Sequence, residues 1–246
     1  SMGGDAAWDL GVAHPDLWAG VIPVVARCDK YIPLLWENAE HVPFYFVQGE
    51  LDGDKKTHNA EYLDRYLSHG YNATIAEYQG RGHEHFSDEI QNLFDWANRY
   101  RRDFFPRQVV CQSMRPWDNY FWWLELDEFP AKTMLDPEDW PHRSDKRSVA
   151  PKNYHAAQTK ASLNAANGIN VTTGAGKTTI WLSPEVVNFN QKIALTINGR
   201  RAPLAGTGVP PDLPILLEDA RTRADRQHVF WAKVEMPSGK VNELDE

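Results

Sequence analysis

Cysteine is nearly missing from this sequence: Cys28 and Cys111 are the whole supply. Two cysteines make neither a disulfide framework nor a thiolate metal spacing; they could pair once, but the favoured reading is two buried thiols. Positive charge is short as well. Lys and Arg number 26 against 34 Asp and Glu, for a net charge of -8. Such a chain lacks the basic face through which a nucleic-acid partner would release counterions, and no nucleic acid is expected. Long hydrophobic runs are absent too; none approaches the ~20 residues of a bilayer-spanning helix, so no membrane span is expected. No signal peptide is visible. What remains is ordinary for a globular protein, with 42% hydrophobic and 24% charged residues. At 246 residues the chain has room for one large or two modest domains.

The first hundred residues alternate between strand and helix patterns. Ser1-Met2-Gly3-Gly4 followed by the small, helix-prone run from Asp5 to Ala13 matches the second half of a nucleophile elbow, G-x-S-x-G. That motif is a sharp strand-to-helix turn with an exposed serine. His14-Pro15 ends the helix, because the residue before a proline is pushed out of helical space. Trp18 to Ala26 is nearly all apolar and reads as a strand buried on both faces. Val42 to Gly49 is a second such strand, with Glu50-Leu51-Asp52-Gly53-Asp54 in the loop at its end. Asn59 to Gly70 reads as a helix with Gly70 as its stop. Ala73 to Tyr78 reads as a third strand, and Gly80-Arg81-Gly82-His83 follows it. A further helix from an N-cap at Ser87 is expected to run to about Arg102. This rhythm predicts a parallel sheet with covering helices, whose chemistry lies at the carboxyl ends of its strands.

Ser1, Asp52 and His83 all fall at that edge, and in the chain order Ser…Asp…His. Nucleophilic serine chemistry needs a hydroxyl, an imidazole to take its proton and a carboxylate to hold the imidazole. Asp54 competes with Asp52 and His85 with His83. The spacing from Gly49 favours Asp52, and His83 directly follows Gly82. His14, His41, His58 and His69 are read as surface or loop histidines. The rival reading of Ser1-Met2 is a remnant of cloning, against which the following Gly-Gly-Asp-Ala-Ala continues the elbow pattern.

Ser1-Met2-Gly3-Gly4, the stretch His14 to Pro23, Gln48-Gly49-Glu50-Leu51-Asp52 and Gly80-Arg81-Gly82-His83 together resemble the α/β-hydrolase superfamily. The nearest types are the prolyl-oligopeptidase, dienelactone-hydrolase and carboxylesterase-like serine hydrolases. The resemblance spans about residues 1 to 105. It implies Ser1 as nucleophile, Asp52 as acid and His83 as base, with the Met2 backbone N–H as one oxyanion-hole donor. No cofactor is implied, and the partner would be a small-molecule ester or peptide substrate. The second oxyanion donor of such enzymes belongs to a loop after an earlier strand. The chain is therefore expected to begin mid-domain, as the C-terminal part of a longer enzyme, and whether it is active by itself stays open. Localisation stays open for the same reason.

From Arg107 the texture changes to short alternating runs separated by turn residues. The runs at 108–112, 119–126, 154–159, 168–173, 178–182 and 192–197 read as strands, with Asn198-Gly199 as a turn signal. Pro130 to Lys152 reads as a long loop, Leu213 to Arg226 as a terminal helix and Val229 to Val234 as a last strand. Gly174-Ala175-Gly176-Lys177-Thr178 mimics a phosphate-binding loop, but Val171 stands where the motif needs glycine and a β-run follows in place of a helix. It is read as a hairpin turn. The aromatic run from Trp117 to Trp123 could stack on sugars from an exposed sheet, or fill the core; the core reading is favoured. The run from Leu182 to Gly199 resembles the C-terminal extension of some bacterial peptidase-like α/β hydrolases. The expected organisation is thus an α/β-hydrolase C-terminal half over 1–106 and a β-sandwich-like domain over 107–246. The alternative function is a non-catalytic binding protein whose β-domain recognises carbohydrate or a protein.

Overall fold

The computed structural model describes residues 1–135, 155–202, 204 and 209–238. It mixes helices with three sheets and divides into two compact units. The first comprises Ser1–Asp103 and the segment Leu135–Ala156, of which Leu135, His155 and Ala156 are described. The second comprises Phe104–Met134 and the chain from Ala157 onward. Among the described residues no helix is long and apolar enough to cross a membrane.

In the first unit, strands β1 (Phe44–Gly49) and β2 (Ala73–Tyr78) pair in parallel, from Phe44 opposite Ala73 to Gly49 opposite Tyr78. Helices α1 (Met2–Ala13), α2 (Lys55–Ser68) and α3 (Ile90–Ala97) cover them. The alternation of side chains along β1 explains the layering. Phe44 and Phe46 turn to the face where Trp8 of α1 and Tyr66 of α2 pack. The Trp8 and Phe46 rings meet edge to face at 4.6 Å, and Trp8 Nε1 donates to Tyr66 Oη at 3.1 Å. Tyr45 and Val47 turn the other way, Tyr45 against Trp96 of α3 and Val47 against Val25 and Phe86. A strand sandwiched like this carries apolar residues on both faces, which is why 42–47 shows no polar alternation.

The apolar run over 18–26 does not form the continuous strand expected of it. Val21 and Val24 make isolated parallel bridges to Phe44 and Val47. The bonds from Val21 N to Pro43 O (2.9 Å) and Val25 N to Val47 O (2.8 Å) flank Pro23, which has no N–H to give. Val25 then leaves the strand path at φ +47°. Helix α3 also stops at Ala97 rather than running to Arg102.

In the second unit a five-stranded sheet runs in the order β10-β9-β7-β6-β3 and a four-stranded sheet in the order β11-β8-β5-β4. Their strands are β3 (Gln108–Ser113), β4 (Tyr120–Phe121), β5 (Leu124–Asp127), β6 (Ala157–Leu163), β7 (Gly168–Thr173), β8 (Lys177–Leu182), β9 (Ala194–Ile197), β10 (Arg200–Arg201) and β11 (Ala232–Pro237). Both sheets feed one core that holds Val109, Phe121, Trp123, Val171, Ile180 and Leu195. Helix α4 (Leu213–Thr222) precedes β11. The expected loop over Pro130 to Lys152 lies, beyond residue 135, outside the described residues.

Two sequence expectations change here. The aromatic run is not one strand: β4 and β5 form a tight hairpin whose turn is Trp122-Trp123, with Phe121 opposite Leu124. Gly174-Ala175-Gly176 is not a hairpin turn either, since β7 and β8 lie in different sheets. It carries the chain from one sheet to the other with Ala175 wholly buried. Trp122 and Trp123 are buried, so neither offers a ring face to a sugar.

Candidate active site

The candidate site grows from three loops of the first unit. Ser1 stands at the N-cap of α1, and its side chain makes no capping bond. Its amino group donates to Val24 O at 3.0 Å, while the Arg27 amide donates to Asp5 Oδ1 at 2.7 Å. These bonds tie the first turn of α1 to the 24–27 segment. Gly4 permits the approach, because a Cβ there would lie 2.2 Å from Val24 O. The glycine that the elbow motif stresses, Gly3, has nothing within 4 Å of such a Cβ. Met2 begins α1, where a helical amide has no acceptor within its own helix. Beside this turn, a cleft of about 360 Å³ runs along the flank of α1, lined by Ala6, Ala7, Leu10, Trp18, Val21 and Ile22 among others. It holds no titratable group.

Asp52 follows β1 and His83 follows β2. Parallel pairing brings the carboxyl ends of both strands to one edge, and three hydrogen bonds and a glycine close the remaining gap. Glu50 N donates to Tyr78 O at 3.0 Å, Leu51 N to Arg81 O at 2.8 Å and Gly80 N to Glu50 Oε2 at 2.8 Å. A Cβ at Gly49 would lie 2.3 Å from Gly82 O and 2.5 Å from Arg81 O, so only glycine lets the loops touch. As a result His83 Nδ1 lies 2.9 Å from Asp52 Oδ1 and 3.1 Å from Oδ2. The Asp52 side chain is 8% exposed and that of His83 is 46% exposed, which leaves the imidazole open to a reacting group.

The competing residues sit elsewhere. Asp54 is the N-cap of α2 and pairs with Arg27 at 3.6 Å. His85 is exposed. His58 Nε2 bonds the Cys28 carbonyl, His69 packs edge to face on Trp36, His14 caps the end of α1 and His41 ends a short 3-10 turn. The geometry joins Asp52 to His83. It does not join Ser1 to His83 by a hydrogen bond: the imidazole contacts run through Nδ1 to Asp52 and Lys55. The Ser1 nitrogen bonds Val24 O, one residue from the Val25 carbonyl that Lys55 holds.

Lys55 is the residue that sequence reading missed. It stands in the first turn of α2, three positions after Asp52, and its Nζ lies 3.2 Å from Asp52 Oδ2. No spacing rule marks it in the sequence, because Asp52 lies in the turn before α2 and residues three apart share a face only within a helix. A second group supports the His83 loop from below. Glu89 is buried and accepts hydrogen bonds from the hydroxyls of Tyr45 on β1 and Tyr78 on β2. Burial alone would raise its carboxyl, but the bonds from Tyr45, Tyr78 and Asn92 outweigh it and hold the group below its ordinary value. Among the described residues no group of three or more His, Cys, Asp or Glu could hold a metal.

No protein family matches the chain, and no curated protein matches it. Among solved structures, the crystal structure of a thermostable esterase is similar to it at 18% identity with a TM-score of 0.33. The match covers 41% of this chain and 29% of that one, so the chain spans under a third of that esterase. A likeness so slight assigns neither fold nor activity.

Proposed function

We propose that this chain carries the chemistry of a serine hydrolase that cleaves an ester or peptide bond through an acyl-enzyme. The observation that carries the reading is the Asp52–His83 pair at the carboxyl ends of two parallel strands, with the Ser1 turn bonded to the Val24-Val25 segment that Lys55 also binds. A buried carboxylate 2.9 Å from Nδ1 of a half-exposed imidazole would, when Nδ1 carries the proton, orient the ring and stabilise the imidazolium that forms when Nε2 takes a second one. His83 Nε2 would accept the Ser1 hydroxyl proton as Oγ attacks the substrate carbonyl. The same nitrogen would return that proton to the leaving group, and water would then release the acyl group by the reverse sequence. The Met2 amide, with no acceptor in its own helix, would face the oxyanion. The positive end of α1 favours negative charge at that point.

Labelling of the protein with a fluorophosphonate probe tests this reading. Labelling is expected in the wild type, and Ser1→Ala abolishes it. His83→Ala is expected to lower turnover by about 10⁶-fold and Asp52→Asn by about 10⁴-fold. Labelling that persists in both Ser1→Ala and His83→Ala rejects the triad.

A further inference from the structure

Lys55 places a demand on His83 that conflicts with the demand of Asp52. The Lys55 ammonium lies 2.8 Å from Val25 O, 3.2 Å from Asp52 Oδ2 and 3.0 Å from His83 Nδ1. An ammonium has three donors and no acceptor, so these three neighbours satisfy it completely only if each accepts. For Nδ1 to accept, it must carry a lone pair, and the ring proton must sit on Nε2. Asp52, 2.9 Å from the same nitrogen, needs Nδ1 to carry the proton. A neutral imidazole has one N–H and one lone pair, so both demands cannot be met together.

The position of Lys55 is built into the fold. Its side chain is 19% exposed against 46% for His83, so it is not a lysine waving in solvent. Its carbonyl partner is Val25, a β-branched residue held at φ +47°. That region is a genuine outlier for such a residue and persists only where the surroundings enforce it. Val25 itself is fixed by the bond from its amide to Val47 O at 2.8 Å. The strained turn thus aims a carbonyl at the lysine and holds the ammonium under the pair.

We infer that Lys55 is a positioning residue that acts as a latch on the tautomer of His83. In the latched state Lys55 donates to Nδ1, the proton sits on Nε2, and the imidazole cannot accept a proton from serine. In the working state Nδ1–H faces Asp52, and Lys55 keeps its bonds to Val25 O and Asp52 Oδ2. The change moves only protons: one leaves Nε2 for solvent and one arrives from solvent at Nδ1. The consequence for rate rests on the serine-hydrolase reading above, but the tautomer equilibrium does not.

Long-range nitrogen–proton NMR of histidine-labelled protein at about pH 8, above the ordinary histidine range, reads the tautomer directly. The His83 signals are assigned by their loss in His83→Ala. The wild type is expected to show the proton on Nε2, and Lys55→Met to show it on Nδ1 because Asp52 is then unopposed. A wild-type spectrum with the proton on Nδ1 overturns the latch, even if Lys55→Met fails to fold. So does a folded Lys55→Met protein that keeps it on Nε2. Fluorophosphonate labelling is expected to run several-fold faster in Lys55→Met than in the wild type. If the tautomer switches but no variant is labelled, the latch stands and the serine-hydrolase reading falls.

Discussion

Glu89 shows how one residue can hold the His83 loop without taking part in the proposed reaction. It follows the His83 loop, and the Tyr45 and Tyr78 hydroxyls reach it from the two strands that carry Asp52 and His83 at their ends. Its carboxyl is held below its ordinary value, which makes its contribution depend on pH in a definite direction. A lowered carboxyl stabilises the fold above its unfolded value, and the contribution fades as pH falls through the folded one. Glu89→Gln is therefore expected to be less stable than wild type at neutral pH, by about 1–3 kcal/mol. Below the ordinary value of 4.5 the gap should narrow, because the wild type loses its charged bonds there and the variant has none to lose. Urea unfolding of both proteins at neutral and acid pH checks this. A gap that stays constant with pH would show that Glu89 acts through packing alone.

At the scale of elements, the meeting of the two loops turns on Gly49. An alanine there would set Cβ against two carbonyl oxygens of the backbone, atoms that cannot swing aside as a side-chain tip can. Gly49→Ala is expected to push the His83 loop off Asp52, and a displacement of about 1 Å at reacting groups can lower turnover about 10²-fold. A structure of the variant with the 2.9 Å His83–Asp52 contact intact would refute this role for Gly49. That Asp52 and His83 share one edge was legible in the sequence, because Asp52 follows an apolar run and His83 an alternating one, and parallel strands bring the loops after them to one edge. Segments where periodicity alone decides were legible too: Ala73–Tyr78 and Gly168–Thr173 are strands over the full expected span. So was Asn198-Gly199, where φ of +48° and +76° gives the turn that joins β9 to β10. Lys55 was not legible, since its importance comes from Val25 and His83, and only the folded backbone aims them at it. The break at 23–25 was hidden in the same way: an apolar run reads as strand until proline withholds an N–H and Val25 turns out of line.

At the scale of the whole molecule, the proposed site and the aromatic run fall in different units. Ser1, Asp52, Lys55 and His83 belong to the first, Trp122 and Trp123 to the second. Sequence alone left open whether those tryptophans face a ligand or the core, because a run of aromatics suits either. The hairpin answers through its own oddity. Its first turn residue, Trp122, sits at φ +54°, a conformation that tight hairpins usually reserve for glycine, asparagine or aspartate. What supports so awkward a turn is Trp123, whose side chain is fully buried, whose Nε1 donates to Pro106 O at 3.0 Å and whose carbonyl accepts from Trp181 N at 2.9 Å. Burial of an indole outweighs the local strain, since Trp→Ala in a core costs about 3–5 kcal/mol and an unfavourable φ about 1–3 kcal/mol. Trp123→Ala is thus expected to release the turn as well as empty the core. A chain of two units need not unfold in one step, so a single melting temperature would blur the effect. Amide hydrogen exchange resolved by residue avoids that. Protection is expected to fall in β5, which begins at the next residue, and in β8, whose Trp181 amide bonds the Trp123 carbonyl; the two pair from Leu124–Ile180 to Asp127–Lys177. If those amides keep their wild-type protection, the buried indole is not what holds the hairpin.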